Sequence, residues 1–366
     1  MQIIELFKYM INSKSETPDD GGLLLFIEDY LPGFTALRVD VEDVKNLFIY
    51  KKYGEGDHLC FAGHVDVVPA GKGWDTDPYQ AVEKDGYIYG RGTQDMKSGV
   101  ASFTQAVRDT TDFKGTLSLL LTSDEEGDAI NGTVKVLESL REKKMLPDFC
   151  VVAEPTCEEN FGDAIKVGRR GSINGYLTIK GKQGHAAYPE KAINPIHQLS
   201  KVLGEMAGVD LDNGDEHFAP SKFVVTDIRA GMQVTNVTPN ELKMMFNVRN
   251  NTKTTQAEIR AFVDKYLGEL EYELELTQGS YPFKTDTNTK IVQKIDEAIK
   301  KVTNIKPKHS TAGGTSDARF ISAFGVDVVE FGVKNDTIHS VNERTSKKEV
   351  EELCQVFKTL IEIWDK

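Results

Sequence analysis

Five separate segments place carboxylate or imidazole side chains directly after short apolar runs. Open α/β sheets gather their functional sites beyond the carboxyl ends of the strands, so these side chains are expected to meet there. Two imidazoles and three carboxylates would suit two Zn²⁺-like ions that share one bridging carboxylate and keep room for water. The candidate ligands are His64, Asp95, Glu126, Glu154 and His339.

Each segment on its own has a simpler interpretation. His64 and Asp66 share one face of an extended chain, where Asp66 can orient a ligating imidazole, but such a pair on its own is more typical of a turn or surface. Asp95, in the glycine-rich stretch before a helix, is typical of a helix cap, and Asp124 to Glu126 are typical of a solvated turn. The five segments together predict a metal site, and no Cys is placed to close it, which indicates an open, catalytic site.

The elements that must position these residues alternate between short apolar runs and helical periodicity. Candidate strands at 58–63, 116–122 and 149–153 and candidate helices at 99–109 and 132–143 favour an α/β fold, with helices on both sides of a sheet. From 172 to 277, four runs alternate apolar and polar residues with period two, which is typical of a half-exposed antiparallel sheet. Helices are expected between these runs at 195–207 and 255–267.

The predicted fold class is therefore α/β, with a three-layer catalytic domain around a mixed, mainly parallel sheet and an inserted α+β domain with an antiparallel sheet. A chain of 366 residues suits two domains. The catalytic, metal-binding domain is expected at 1–170 and 286–366, and the inserted domain at 171–285.

Composition narrows the possible partners and location. The net charge of -13 disfavours general binding to nucleic acid or to an anionic membrane. No apolar run approaches the length of a membrane span, and the first residues predict an amphipathic helix rather than a signal peptide. The four cysteines form no C-x-x-C pair, which indicates a reducing compartment. The sequence predicts a cytoplasmic protein that acts on a small molecule.

The order of these motifs along the whole chain resembles that of the zinc aminoacylases, carboxypeptidases and deacylases. The resemblance rests on Gly63 to Pro69, Gly90 to Gly99, Thr122 to Gly127, Glu154-Pro155, Gly184-His185 and the late His339. It implies two divalent metal ions per subunit, with Zn²⁺ expected and Co²⁺ or Mn²⁺ as alternatives. It also implies a homodimer through the inserted domain, which would serve as lid and dimer interface.

The resemblance assigns roles to individual residues. Asp95 would bridge the two ions. His64 and Glu154 would bind one ion, and Glu126 and His339 the other. Three further residues receive catalytic roles: Asp66 would orient His64, Glu125 would be the general base, and His185 would reach in from the partner subunit to donate to the developing oxyanion. The simpler interpretation of His185 is a turn residue between a strand and a helix.

Substrate specificity is expected from cationic residues and glycine-rich loops. The run from Lys166 to Ser172 and Arg249 on the polar face of a strand can hold carboxylates, and the glycines before the helix at 317 allow close backbone approach. These segments resemble the branch of the family that hydrolyses N-succinyl-LL-2,6-diaminopimelate in lysine and diaminopimelate biosynthesis. The resemblance implies these substrate contacts: Arg169, Ser172, Tyr188, Asn236, Arg249, Gly314, Thr315 and Asn335, with Asn236 serving the neighbouring subunit.

Two other interpretations remain open at this point. An N-acetylornithine deacetylase or another aminoacylase of the family would share every metal ligand, but it would not need to hold a succinyl carboxylate. A non-catalytic homologue could keep the fold and the metal, although such proteins usually lack the base or a ligand, and Glu125 and all five candidate ligands are present.

Overall fold

A computed structural model describes all 366 residues, which form two compact units. The first unit comprises residues 1–168, 284–310 and 316–366, and the second comprises residues 169–283 and 311–315. No helix combines the length and the apolar composition needed to cross a membrane.

The helices are α1 (Ile3–Asn12), α2 (Leu23–Tyr30), α3 (Ser98–Asp109), α4 (Thr133–Glu142), α5 (Pro195–Ser200), α6 (Leu203–Met206), α7 (Gln256–Leu267), α8 (Lys290–Thr303), α9 (Ala318–Ala323) and α10 (Lys347–Ile363). A kinked turn at Thr93–Lys97, in which Asp95 (φ -115, ψ 99) and Met96 (φ -128, ψ 32) leave helical geometry, precedes α3, and a 3-10 turn lies at Pro189–Lys191.

The strands are β1 (Thr35–Arg38), β2 (Asn46–Lys52), β3 (Asp57–His64), β4 (Val82–Lys84), β5 (Tyr87–Tyr89), β6 (Gly115–Thr122), β7 (Phe149–Val152), β8 (Ala164–Lys166), β9 (Gly168–Arg169), β10 (Ser172–Lys180), β11 (Gly184–His185), β12 (Phe223–Ala230), β13 (Val237–Thr238), β14 (Glu241–Val248), β15 (Tyr272–Ser280), β16 (Phe283–Lys284), β17 (Lys308–Ser310), β18 (Asp327–Glu330) and β19 (Arg344–Ser346).

The first unit is built on an eight-stranded sheet in the order β1-β2-β6-β3-β7-β18-β8-β17. Its four central strands, β6, β3, β7 and β18, run parallel, whereas β1 and β2 join with antiparallel pairing. The central strands are almost continuously apolar and buried, as expected for parallel strands covered by helices. Phe61 of β3 packs on Phe103 of α3 and on Phe357 of α10. The mixed, mainly parallel sheet predicted from the sequence is confirmed.

The second unit holds an antiparallel sheet in the order β12-β14-β10-β15. Leu242, Met244 and Phe246 alternate with more exposed neighbours along β14, so one face of the sheet packs on a core while the other faces solvent. Helix α7 begins at a capping box, in which Thr255 and Glu258 satisfy the free backbone N–H groups. The predicted antiparallel sheet is confirmed.

One predicted element differs in the structure. The single helix expected at 195–207 is two short helices, α5 and α6, because the chain leaves helical geometry at Val202 (φ -125, ψ -12). Val202 is β-branched, and such residues lose side-chain freedom in a helix. Its amide instead bonds the carbonyl of Leu199, three residues back, which ends the first helix.

Candidate metal centre

Three of the candidate ligands lie at one edge of the central sheet because they follow the carboxyl ends of adjacent parallel strands. His64 is the last residue of β3, Glu154 lies two residues after β7, and Glu126 lies four residues after β6. Asp95 comes from the kinked turn before α3, and His339 comes from the loop before β19. His339 has a left-handed backbone (φ 57), which is strained for a residue other than Gly and typical of functional sites.

The five side chains meet in the first unit, and Asp95 stands between the two imidazoles. His64 Nε2 lies 3.1 Å from Asp95 Oδ1 and 3.7 Å from Glu154 Oε1. His339 Nε2 lies 3.3 Å from Asp95 Oδ2 and 3.0 Å from Glu126 Oε1. Each carboxylate oxygen of Asp95 therefore faces a different histidine, and each histidine faces a different glutamate.

These spacings fit a pair of divalent ions. A tetrahedral ion with bonds of about 2.0–2.1 Å holds its ligand atoms about 3.3 Å apart. The measured separations, 3.0 to 3.7 Å, scatter around that value in both groups. The donor atoms of His64, Asp95 and Glu126 also lie within 4.8 Å of one another. The residues form two half-sites that share Asp95, which is the arrangement expected for two ions with a bridging carboxylate.

Asp66 lies behind His64 and is completely buried. His64 Nδ1 lies 2.9 Å from the backbone oxygen of Asp66 and 3.6 Å from its carboxylate Oδ1. A hydrogen bond from Nδ1–H to the backbone oxygen of Asp66 leaves Nε2 of His64 free to bind a cation. The carboxylate of Asp66 accepts the amide of Glu126 at 3.1 Å, so it also holds the segment that carries Glu125 and Glu126.

The site gathers several acidic side chains with too little positive charge to balance them. Burial, with the charges of Asp317, Asp95 and Glu126, raises the pKa of Glu125 well above its usual value. Burial and the charge of Asp95 do the same to the pKa of Glu154. Hydrogen bonds to Asp95 and Glu126 raise the pKa of His339 to about 10. Bound cations would relieve this excess of negative charge and would displace the imidazole protons.

Several predicted substrate contacts lie together in the second unit. Arg169 is buried, and its Nη1 donates to the carbonyl oxygen of Ala312 at 3.2 Å. Ser172 begins β10, and its hydroxyl accepts from Asn247 Nδ2 at 2.9 Å. Arg249 follows β14 and is exposed. Gly314 and Thr315 belong to the 311–315 segment of the same unit, and the Thr315 hydroxyl is buried without a protein hydrogen-bond partner.

A second group in this unit surrounds the small antiparallel pair of β11 and β13. His185 on β11 is paired with Val237, and the carbonyl oxygen of Asn236 accepts the amide of Ala186 at 2.9 Å. Tyr188 is half exposed, with its ring centroid 5.8 Å from that of His185. His185 Nδ1 accepts the amide of Ala187 at 3.0 Å, so the neutral ring carries its proton on Nε2 as a donor. Asn335, by contrast, lies in the first unit.

Sequence reasoning missed a buried group next to the ligands. Arg91 and Glu343 form an ion pair at 2.7 Å with side-chain exposures of 3% and 0%, and Lys97 is also completely buried. Arg91 and Lys97 belong to the Gly90–Gly99 segment, so their proximity to Asp95 in sequence was a usable signal. Glu343 stands among polar neighbours, Asn342 and Arg344, and its sequence context resembles an ordinary surface loop.

Comparisons with known proteins identify the family of the chain. Residues 60–363 match the model of peptidase family M20/M25/M40, so the chain belongs to that family. It is 72% identical over 364 residues to a protein of Sulfurimonas denitrificans named succinyl-diaminopimelate desuccinylase, covering 100% of both chains. A protein of Nitratiruptor with the same name is 65% identical, with 99% of each chain covered.

Solved structures show the same fold at low sequence identity. Aminopeptidase PepT from Bacillus cereus superposes with a TM-score of 0.84 at 21% identity, covering 100% of this chain and 98% of that one. A Bacillus subtilis protein described as a dinuclear metal-binding peptidase of the M20 family gives a TM-score of 0.75 at 15% identity, with 100% and 98% covered. These likenesses confirm the predicted fold.

Proposed function

We propose that this chain hydrolyses N-succinyl-LL-2,6-diaminopimelate to succinate and LL-2,6-diaminopimelate, a step of lysine and diaminopimelate biosynthesis. The observation that carries the proposal is the full-length identity of 72% and 65% to proteins named for this reaction. The gathered ligand set of the first unit supports it, because amide hydrolysis needs an activated water and a polarised carbonyl.

The proposed cofactors are two divalent metal ions, with Zn²⁺ first and Co²⁺ or Mn²⁺ as alternatives. His64, Glu154 and one oxygen of Asp95 would hold one ion, and His339, Glu126 and the other oxygen the second. Bound there, the ions would lower the pKa of water and polarise the amide carbonyl. The ligand spacings of 3.0 to 3.7 Å support this assignment.

Glu125 is the proposed general base. It follows the same strand as Glu126. Despite burial, a hydrogen bond to Asp95 and the charges of Asp66, Glu154 and Glu125 together raise the pKa of His64. Its carboxylate takes a proton from the attacking water and then delivers it to the departing amine, so that one water is consumed and the amide yields an acid and an amine. Asp66 keeps His64 in the orientation that ligation requires.

His185 and Asn236 are proposed to act on the site of a second subunit. Both lie on the β11–β13 pair, and the available N–H of His185 suits an oxyanion that develops on the substrate. A homodimer through the inserted unit is supported by large apolar side chains exposed there, including Tyr176, Ile228 and Met245. Four free, buried cysteines support a reducing, cytoplasmic location.

Arg169, Arg249 and the 311–315 segment are proposed to hold the carboxylates of the substrate. The substrate carries three carboxylates and one ammonium, so several cationic and N–H donors favour it over an acetylated amino acid. Ser172, Tyr188, Gly314, Thr315 and Asn335 complete the proposed contacts.

A paired assay tests the proposal. The purified protein is given N-succinyl-LL-diaminopimelate or N-acetylornithine, before and after chelation and with Zn²⁺ or Co²⁺ restored, and amine release is measured. We expect turnover of the succinyl compound, loss on chelation and recovery with metal. Preferential turnover of the acetyl compound would overturn the substrate assignment, and full activity after complete metal removal would overturn the metal centre.

A further inference from the structure

Glu343 is a completely buried carboxylate four residues after His339, and backbone N–H groups surround it. Its Oε2 accepts from Arg91 Nη1 at 2.7 Å and from the amide of Gly92 at 3.0 Å. Its Oε1 accepts from the amide of Gln94 at 2.7 Å and from the amide of Asp95 at 3.3 Å. Both oxygens are thus engaged by the segment that carries Asp95.

The reverse contacts come from the same segment. The side chain of Gln94 accepts the amide of Thr337 at 2.8 Å and donates to the carboxylate of Asp336. Arg91 Nη2 lies 3.4 Å from the backbone oxygen of His339. Segments 91–95 and 336–343 therefore hold each other, because each segment contributes side chains that hydrogen-bond to the other. We call these two segments the clamp.

The clamp carries two ligands that the sheet does not fix. His64 ends a buried strand and Glu154 follows another closely, whereas Asp95 and His339 lie in connecting segments. Ligand atoms must be held closely if an ion is to bind tightly, and outer contacts supply that order. Asp95 Oδ2 and His339 Nε2 stand 3.3 Å apart across the clamp.

We propose that Glu343 is a positioning residue that fixes Asp95 and His339 relative to each other and so sets the affinity for the ion between them. The inference rests on the metal centre proposed above. Its physical basis is that Glu343 offers only acceptors to the four donors around it. A glutamine would turn one acceptor into an NH₂ group that faces two N–H donors, and buried donors without partners are costly.

The test compares Glu343→Gln with the unaltered protein after loading with Co²⁺, whose visible absorption reports its coordination. Co²⁺ affinity is measured by competition with a chelator, and kcat and KM are measured separately. We expect one of the two ions to bind roughly 10–100-fold more weakly, with a changed spectrum and a fall in kcat larger than any change in KM. Glu343→Asp, which keeps both acceptors, should recover part of the affinity.

A matched control is Glu349→Gln. Glu349 is a buried carboxylate of the same unit that accepts a backbone amide, that of Lys334, at 3.2 Å. It should lower thermal stability without changing the Co²⁺ spectrum or affinity. A merely structural role for Glu343 predicts this same behaviour for Glu343→Gln.

Wild-type affinity and spectrum in a folded Glu343→Gln variant would overturn the proposal. If the unaltered protein binds no ion that Asp95→Asn removes, the metal centre itself fails instead. Should Glu343→Gln not fold, amide hydrogen exchange of the unaltered metal-free protein decides. Strong protection of the Gly92 and Gln94 amides is expected, and exchange at the rate of an exposed loop would refute the clamp.

Discussion

Replacing Gly313 with alanine should weaken substrate binding by displacing Arg169. A Cβ at position 313 would stand 2.6 Å from Arg169 Nη1, whereas ordinary contacts begin near 3.4 Å, so the guanidinium must move by about 0.8 Å. Arg169 is only 7% exposed, which leaves little room for that movement. Its hydrogen bond to the carbonyl oxygen of Ala312 lies directly beside the new methyl group.

The expected magnitude follows from the contact that Arg169 is proposed to make with a substrate carboxylate. A hydrogen bond to a charged group contributes about 1.5–3 kcal/mol, so misalignment should lower kcat/KM roughly 10–100-fold. The loss should appear mainly as a higher KM, because Arg169 is not proposed to touch the reacting atoms. Metal content should be unchanged, since the first unit holds all the candidate ligands.

Backbone strain is separated from displacement by a second variant. Gly313 has φ +105, so alanine there also carries a conformational cost, on the order of 1–2 kcal/mol. Gly208 of the same unit has φ +76, and a Cβ added there would meet nothing within 4 Å, so Gly208→Ala carries strain alone. Steady-state kinetics on the succinyl substrate compare the two. If kcat/KM of Gly313→Ala stays within twofold of Gly208→Ala, the role of Arg169 is refuted.

Two other predictions concern catalysis and pH. Glu125→Ala should keep both metals but lose roughly 10²–10⁴-fold in turnover, and near-normal turnover of the metal-loaded variant would contradict the base assignment. Although partial burial acts in the opposite direction, hydrogen bonds from Thr254, Ser221, Gly214 and Asn251 lower the pKa of Asp212 to about 2, below its unfolded value. The stability it contributes is therefore present above about pH 4 and lost as pH falls towards 2. Denaturant unfolding should show the stability deficit of Asp212→Asn, relative to the unaltered protein, shrinking at pH 3 to roughly half of its value at pH 5. An equal deficit at both pH values would contradict this.

The parts of the fold that could be predicted from the sequence are those where one physical signal dominates. Residues 117–121 are apolar apart from Ser118 because β6 is buried, and the alternation along β14 reflects a sheet with one solvent-exposed face. The break at Val202 was missed because the apolar spacing continues through it. Strand β2 (Asn46–Lys52), which pairs with β6, was not predicted because its lysine-rich end weakens the apolar pattern.

The candidate site also has features that could be predicted from the sequence and features that could not. His64, Glu126 and Glu154 could be grouped in advance, since each follows the end of a strand that was itself predictable. That the two oxygens of Asp95 face different imidazoles depends on the path of the 93–97 turn, which no spacing rule gives. Glu343 reaches Gln94 from 249 residues away, so only the folded chain reveals their contact.

The charge balance of the site predicts that metal binding should release protons. Five carboxylates, Asp66, Asp95, Glu125, Glu126 and Glu154, surround two imidazoles. Without metal, two protonated imidazoles offset at most two negative charges: hydrogen bonds to Asp95 and Glu126 raise the pKa of His339 to about 10, and burial raises the pKa of Glu125 and of Glu154, which favours their neutral forms. Two divalent ions would offset four and would free both imidazoles to ligate as neutral bases. Metal uptake at neutral pH would therefore release protons, and bound ions would balance more of the negative charge than protonated imidazoles do.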